Sequence, residues 1–221
     1  MPAPVGLYLD IDGVISPVHR QDSERRVYDE TNERYLEPLP LYDFAVWPSF
    51  EAFSMGGDHE PELDPMECDF PVAPAMLAAL RALVEEFGLR VIWSSSWAYS
   101  PQMIERVMTR IAAVIPDAAV LLGRECIDLD LDRLSPKRGG VLADWSAHGG
   151  GPLIWADDDG IGRYSFFRGA RRRGVFWGAG PVLGGTPRLL ISPNTHAGLA
   201  PSDLARMRRF LLRLTRSRHV S

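Results

Sequence analysis

The sequence predicts an α/β fold: a Rossmann-like three-layer sandwich with a central, mostly parallel sheet and an inserted cap or lid after the first strand. Three observations predict it. Short apolar runs alternate with amphipathic segments of helical length, which is the pattern of a parallel sheet with helices on both faces. Right-handed crossovers then wind such a sheet doubly. An acidic, proline-rich stretch at residues 15–73 breaks the alternation after a single strand, leaving residues 1–14 and 74–221 as the core. The 221 residues suffice for one large domain or for a core with such an insertion.

Val5–Ile11 (VGLYLDI) reads as a buried strand. The insertion then interleaves Pro38, Pro40, Pro48, Pro61, Pro65 and Pro71 with Tyr28, Tyr35, Tyr42, Phe44, Trp47, Phe50 and Phe53. A structureless loop of about 60 residues is improbable in a compact domain. The aromatics can bury area, so the stretch reads as a subdomain. Pro74–Phe87 places Leu77, Leu80, Val84 and Phe87 on one helical face, with Gly88 as the stop. Leu89–Trp93 (LRVIW) is the next strand. Ser100 as N-cap with Pro101 behind it opens a helix striped by Ile104, Val107, Met108, Ile111 and Ile115 and ended by Pro116. Ala119–Leu122 reads as a short strand. Ser135-Pro136 repeats the cap signal ahead of Val141, Leu142 and Trp145. Pro152–Ala156 (PLIWA) and Leu189–Ile191 are further strands, and Pro201-Ser202 opens a last helix carrying Leu204, Met207, Leu211 and Leu214.

Apolar residues at 46% and charged residues at 24% give the balance of a soluble globular protein. The apolar runs are far shorter than the roughly 18 residues of a membrane helix, so no membrane partner is expected. The N-terminus has no basic region ahead of its apolar stretch, and Cys68 and Cys126 make no metal spacing. Both features point to a reducing, cytoplasmic setting. Charge is segregated: residues 15–73 hold 14 acidic and 4 basic residues, while from Gly160 onward 12 arginines face one acid, Asp203. Of the 24 basic residues a single one, Lys137, is lysine.

Ligands of a doubly wound sheet bind beyond the carboxyl ends of its strands. Three predicted strand ends carry conspicuous polar groups. Asp10 and Asp12 leave the first strand on the same side, because the strand period is two. Two carboxylates so close need a metal ion or a shared proton, and Gly13 permits the turn that follows. Read alone, the pair also suits a plain turn or a calcium-loop fragment. Ser94, Ser95 and Ser96 follow LRVIW and can donate to a phosphoryl oxygen, though serines are equally common in turns. Asp157, Asp158 and Asp159 follow PLIWA, and carboxylates there suit Mg²⁺ or a solvated loop. Lys137 falls in the first turn of a helix, where the macrodipole disfavours a cation unless both serve an anion. Asp128, Asp130 and Asp132 lack a preceding strand and read as solvated surface. His19, His59, His148, His196 and His219 form no triad or metal spacing, and Trp47 and Trp97 read as core rather than as base-stacking platforms.

Taken in order, these signals resemble the haloacid dehalogenase-like (HAD) superfamily of phosphatases and phosphotransferases. The resemblance rests on LYLDIDGV, VIWSSSW, Lys137 and WADDD, short motifs spread over residues 7–159. The tryptophan-flanked WSSSW looks like a bacterial and phage subgroup with relatives linked to RNA repair. The resemblance implies Mg²⁺-dependent phosphoryl transfer to Asp10, with Asp12 as acid and base. It gives Ser95, with Ser94 as fallback, and Lys137 to the phosphoryl oxygens. It puts Mg²⁺ on Asp10, Asp12 (through its backbone carbonyl), Asp157 and Asp158, with Gly13, Ser94 and Ser96 lining the substrate. Asp12 favours phosphoester chemistry, since the family's dehalogenases lack that residue. Expected partners are a phosphorylated small molecule or a nucleic-acid end phosphate. Arg168, Arg171, Arg172, Arg173, Arg206, Arg208, Arg209, Arg213 and Arg216 could guide the latter. A homodimer between acidic insertion and basic tail, and a non-catalytic regulatory domain, are the alternatives. The second would be marked by loss of Asp10, Asp12 or Lys137, and all three are present.

Overall fold

The computed structural model describes residues 4–17, 27–29, 34–36, 46–47, 49, 51–54, 69–129, 136–158, 186–194 and 197–218. In chain order the strands are β1 (Gly6–Leu9), β2 (Val27–Asp29), β3 (Arg34–Leu36), β4 (Glu51–Ser54), β5 (Asp69–Val72), β6 (Arg90–Trp93), β7 (Leu153–Ala156) and β8 (Arg188–Ile191). The helices are α1 (Pro74–Phe87), α2 (Pro101–Val114), α3 (Pro116–Leu122), α4 (Pro136–Ala147) and α5 (Pro201–Arg218), with a 3-10 turn at Ser96–Tyr99.

A four-stranded parallel sheet in the order β6-β1-β7-β8 forms the centre. Strand alternation sends successive side chains to opposite faces. Leu7, Leu9, Val91, Trp93, Ile154, Ala156, Leu189 and Ile191 enter one cluster, which α1, α2 and α5 complete with Leu77, Leu80, Ile104, Val107, Met207 and Phe210. Tyr8, Ile92, Leu153, Trp155 and Leu190 enter the other, against Val141, Leu142 and Trp145 of α4. These are the three layers that the alternation predicted, each buried leucine or isoleucine contributing about 1.5–3 kcal/mol.

The helix α1 has the predicted bounds, with Pro74 in its first turn and Gly88 at φ 59° ending it. Two local expectations fail. Ala119–Leu122, read as a strand, belongs to α3. Pro116 and Asp117 open a helix there, Pro where no N–H is needed and Asp where the dipole favours an anion. Strand-like pairing passes instead to Cys126, which bridges Trp93 in parallel beside β6. Ser100 stands at the N-cap of α2 but makes no capping bond. Its Oγ donates to Gln102 Oε1 at 3.1 Å instead.

Within residues 15–73, β2 pairs with β3 and β4 with β5, both antiparallel. Trp47, Phe70 and Val72 lie in the larger core cluster, and the Trp47 indole donates to the Leu199 carbonyl at 2.8 Å. At the end of the sheet where the strands begin, Arg90 ties three elements together. Its Nη1 and Nη2 donate to Asp144 at 2.8 Å each, its Nε donates to Glu125 at 2.9 Å, and Tyr8 Oη donates to Asp144 at 2.7 Å.

Candidate active site

Parallel strands that stop in step deliver their next residues side by side. The Leu9 carbonyl accepts from the Ser94 amide at 2.7 Å, Asp10 donates its amide to Ala156 O at 3.0 Å, and Asp157 donates its amide to Ile191 O at 3.1 Å. Because Leu9 is level with both Trp93 and Ala156, Ser94, Asp10 and Asp157 form the next row of the sheet. All three are buried.

Asp10 is only 2% exposed. The Ile11 amide holds its Oδ1 at 2.7 Å, and Lys137 Nζ donates to its Oδ2. Lys137, in the first turn of α4, also reaches Asp157 Oδ2 at 3.4 Å. Burial pushes the Asp10 carboxyl up to about 7; Lys137 opposes this and Asp157 adds to it. Burial works against the Lys137 charge, but Asp10 and Asp157 outweigh it and hold the ammonium above its ordinary range. One cation between two buried carboxylates leaves the cluster short of positive charge. Carboxylate oxygens of Asp10, Asp157 and Asp158 all lie within 4.8 Å of one another. This all-oxygen set suits a hard divalent cation such as Mg²⁺.

Asp12 is half-buried, and its carboxylate stands outside that group. Burial pushes its carboxyl upward and Asp158 adds to this, while a hydrogen bond with the Trp97 side chain and the charge of Lys137 pull it down. The turn after Asp12 is tight: Ile11 O accepts from the amides of Val14, Ile15 and Ser16, and Gly13 N donates to Ser16 O at 2.7 Å. Gly13 has φ 69°, and a Cβ there would sit 2.2 Å from Asp158 Oδ2. The glycine therefore serves two ends, the left-handed turn and the close approach of Asp158.

The three serines part ways. Ser94 Oγ is buried without a hydrogen-bond partner. Ser95 Oγ accepts from Trp97 N at 3.3 Å, capping the 3-10 turn, while Ser96 is exposed. Ser135, Asp159, Cys68, Arg168, Arg171, Arg172 and Arg173 lie outside the described residues. Asp128, read as surface, is exposed.

Sequence reasoning missed the part of Trp97, whose ring lies 6.0 Å from Phe70 of β5 and whose side chain meets Asp12. Its place directly after the three serines was the available signal. A second trio, Glu125, Asp144 and His148, also gathers within 4.8 Å. There the Arg90 guanidinium already bonds both carboxylates, so the trio is an ion-pair network.

A buried row of Asp, Ser and Asp, closed by a helix-borne lysine, thus stands at the carboxyl edge of the parallel sheet. Residues 6–172 match the family described as the HAD domain in Swiss Army Knife RNA repair proteins. The chain belongs to that family, and with it to a superfamily of phosphatases and hydrolases. No curated protein and no solved structure matches it. Among the described residues no helix is long and apolar enough to cross a membrane.

Proposed function

We propose that the chain is a Mg²⁺-dependent phosphomonoester hydrolase working through an aspartyl-phosphate on Asp10. The observation that carries this reading is Lys137 shared between the buried carboxylates of Asp10 and Asp157. Asp10, Asp157 and Asp158 would hold the Mg²⁺ together with the Asp12 carbonyl. The bound ion would supply positive charge that lets a carboxylate meet a phosphate.

The chain's own groups do the rest. The Ile11 amide fixes the Asp10 carboxylate, one oxygen of which attacks phosphorus as the bond to the leaving oxygen breaks. Asp12, whose burial favours the protonated form, gives its proton to that leaving oxygen. It then takes one from the water that attacks the phosphorus and frees Asp10 and inorganic phosphate. Lys137 and the hydroxyls of Ser94 and Ser95 bind the phosphoryl oxygens as charge moves onto them. Residues 15–73 act in this reading as the cap, with Phe70 against Trp97 as the link to Asp12. The RNA-repair setting in the family's description favours a terminal phosphate on a nucleic acid over a free metabolite.

Asp10→Asn should abolish turnover of an aryl phosphate while the thermal transition persists, and EDTA should silence the wild type until Mg²⁺ is restored. Near wild-type turnover by Asp10→Asn would overturn the proposal, and indifference to chelation would remove the metal from it.

A further inference from the structure

The last helix has two unlike sides. Leu204, Met207, Phe210 and Leu211 are buried in the larger core cluster. Arg208, Arg209, Arg213 and Arg216 are exposed on the opposite side, at the i, i+1, i+5 and i+8 spacing of one helical face. On this side Arg208 bonds Glu86 of α1 at 2.8 Å. Over its 18 residues α5 carries six arginines and one acid, Asp203. Folding does not call for this excess, because like charges at i and i+4, as at Arg209 and Arg213, oppose the helix by a few tenths of a kcal/mol.

The position of the face is set by the site. Leu199 donates its amide to Val14 O at 2.9 Å, and Gly198 (φ 68°) would bring a Cβ within 2.7 Å of the same carbonyl. The segment leading into α5 is thus fastened to the turn that follows Asp12, and the helix runs from the edge bearing the candidate site toward the other end of the sheet. Arg209 to Arg216 covers about 10 Å at 1.5 Å per residue, long enough for their guanidinium groups to meet neighbouring phosphates of one strand.

We infer that the outer face of α5 is a track for the sugar–phosphate backbone of a single nucleic-acid strand whose end reaches Asp10. The inference rests on the phosphomonoesterase reading and extends it by naming where the rest of the substrate lies. A protein partner fits this face poorly, since protein interfaces bury an apolar core. Leu212 is the one exposed large hydrophobic side chain here among the described residues. Planar guanidinium groups bind phosphate in two-pronged fashion and stack on bases, which suits a strand.

The test uses the full chain and a fluorescein-labelled, 12-nucleotide single-stranded RNA bearing a terminal phosphate. Anisotropy is read across a salt series for the wild type and for Arg209→Gln/Arg213→Gln/Arg216→Gln. Glutamine keeps helix propensity, so the variant should melt like the wild type. The variant should bind at least tenfold more weakly at low salt. The slope of log K against log salt should become shallower by about 2, near 0.7 for each lost phosphate contact. Equal affinity and slope in the two proteins, or no binding by the wild type at low salt, would overturn the track. So would light scattering that finds the wild type dimeric and the variant monomeric, which would give the face to a second copy. Hydrolysis of a mononucleotide is measured in parallel and should be equal in both. If the wild type binds through this face but hydrolyses nothing, the track stands and the phosphomonoesterase reading falls. Turnover without a difference in binding has the reverse meaning.

Discussion

Gly13→Ala isolates the contact between the first turn and Asp158. Two costs add at this position. Alanine in the left-handed region loses about 1–2 kcal/mol, and φ here is 69°. The new Cβ would also lie 2.2, 2.4 and 2.8 Å from Oδ2, Cγ and Cβ of Asp158. Rotating the Asp158 side chain can clear the first two, but its Cβ is fixed to the backbone, so residues near 158 must shift. Overpacking of this kind costs a further 1–3 kcal/mol or so. Gly88→Ala supplies the control, because Gly88 has φ 59° and nothing within 4 Å of its added Cβ. Urea unfolding should therefore find Gly88→Ala destabilised by about 1–2 kcal/mol and Gly13→Ala by about 2–5 kcal/mol. Since Asp158 moves, the Mg²⁺ concentration that half-saturates calorimetric binding should rise about 10- to 100-fold in Gly13→Ala alone. Equal destabilisation of the two variants with an unchanged Mg²⁺ midpoint would refute the reasoning.

Lys137→Arg should lower kcat for an aryl phosphate by at least about tenfold with little change in melting temperature, because a planar fork does not serve two carboxylates as a compact ammonium does; unchanged kinetics would make Lys137 an ordinary surface cation. The metal-free protein should lose stability as pH rises from about 4 to 7. The folded Asp10 carboxyl is raised to about 7, so its native state binds protons that an unfolded carboxyl, titrating near 3.9, has released; Mg²⁺ should flatten this slope in thermal melts. Asp144 behaves oppositely. Burial pushes its carboxyl up, but bonds from Arg90 and Tyr8 outweigh this and hold it below the ordinary range. Its contribution is present above about pH 4 and lost as pH falls through its lowered value, so Asp144→Asn should show a shallower acid limb in melts taken from pH 5 downward. Trp47→Phe should cost about 1–3 kcal/mol by chemical denaturation, the toll of leaving the buried Leu199 carbonyl unpaired.

The parallel sheet was legible because four short apolar runs each end in a small or acidic residue. The row of Ser94, Asp10 and Asp157 follows from those runs stopping in step. Lys137 was legible from local conflict, a cation placed at the wrong end of a helix. The segment Ala119–Leu122 was not, since a short apolar run fits helix or strand equally and only tertiary packing decides. Nor was the Arg90 network, whose members lie 35 and 54 residues apart with no shared pattern. The distinction between Ser94 and Ser95 also needed coordinates, because only the 3-10 turn engages Ser95 and leaves the Ser94 hydroxyl unpaired.

Helix α4 is held at two levels of the sheet: Lys137 grips the carboxylates at one end, and Asp144 is gripped by Tyr8 and Arg90 at the other. Seven residues separate the two grips, about 10 Å of rigid helix. Such a strut has little freedom to rock, so in the proposed reaction accommodation of the phosphate falls to the four methylenes of the lysine. Among the described residues, the sole lysine of the chain is then the adjustable cation that meets Asp10 and Asp157, mounted on an element the rest of the sheet keeps still.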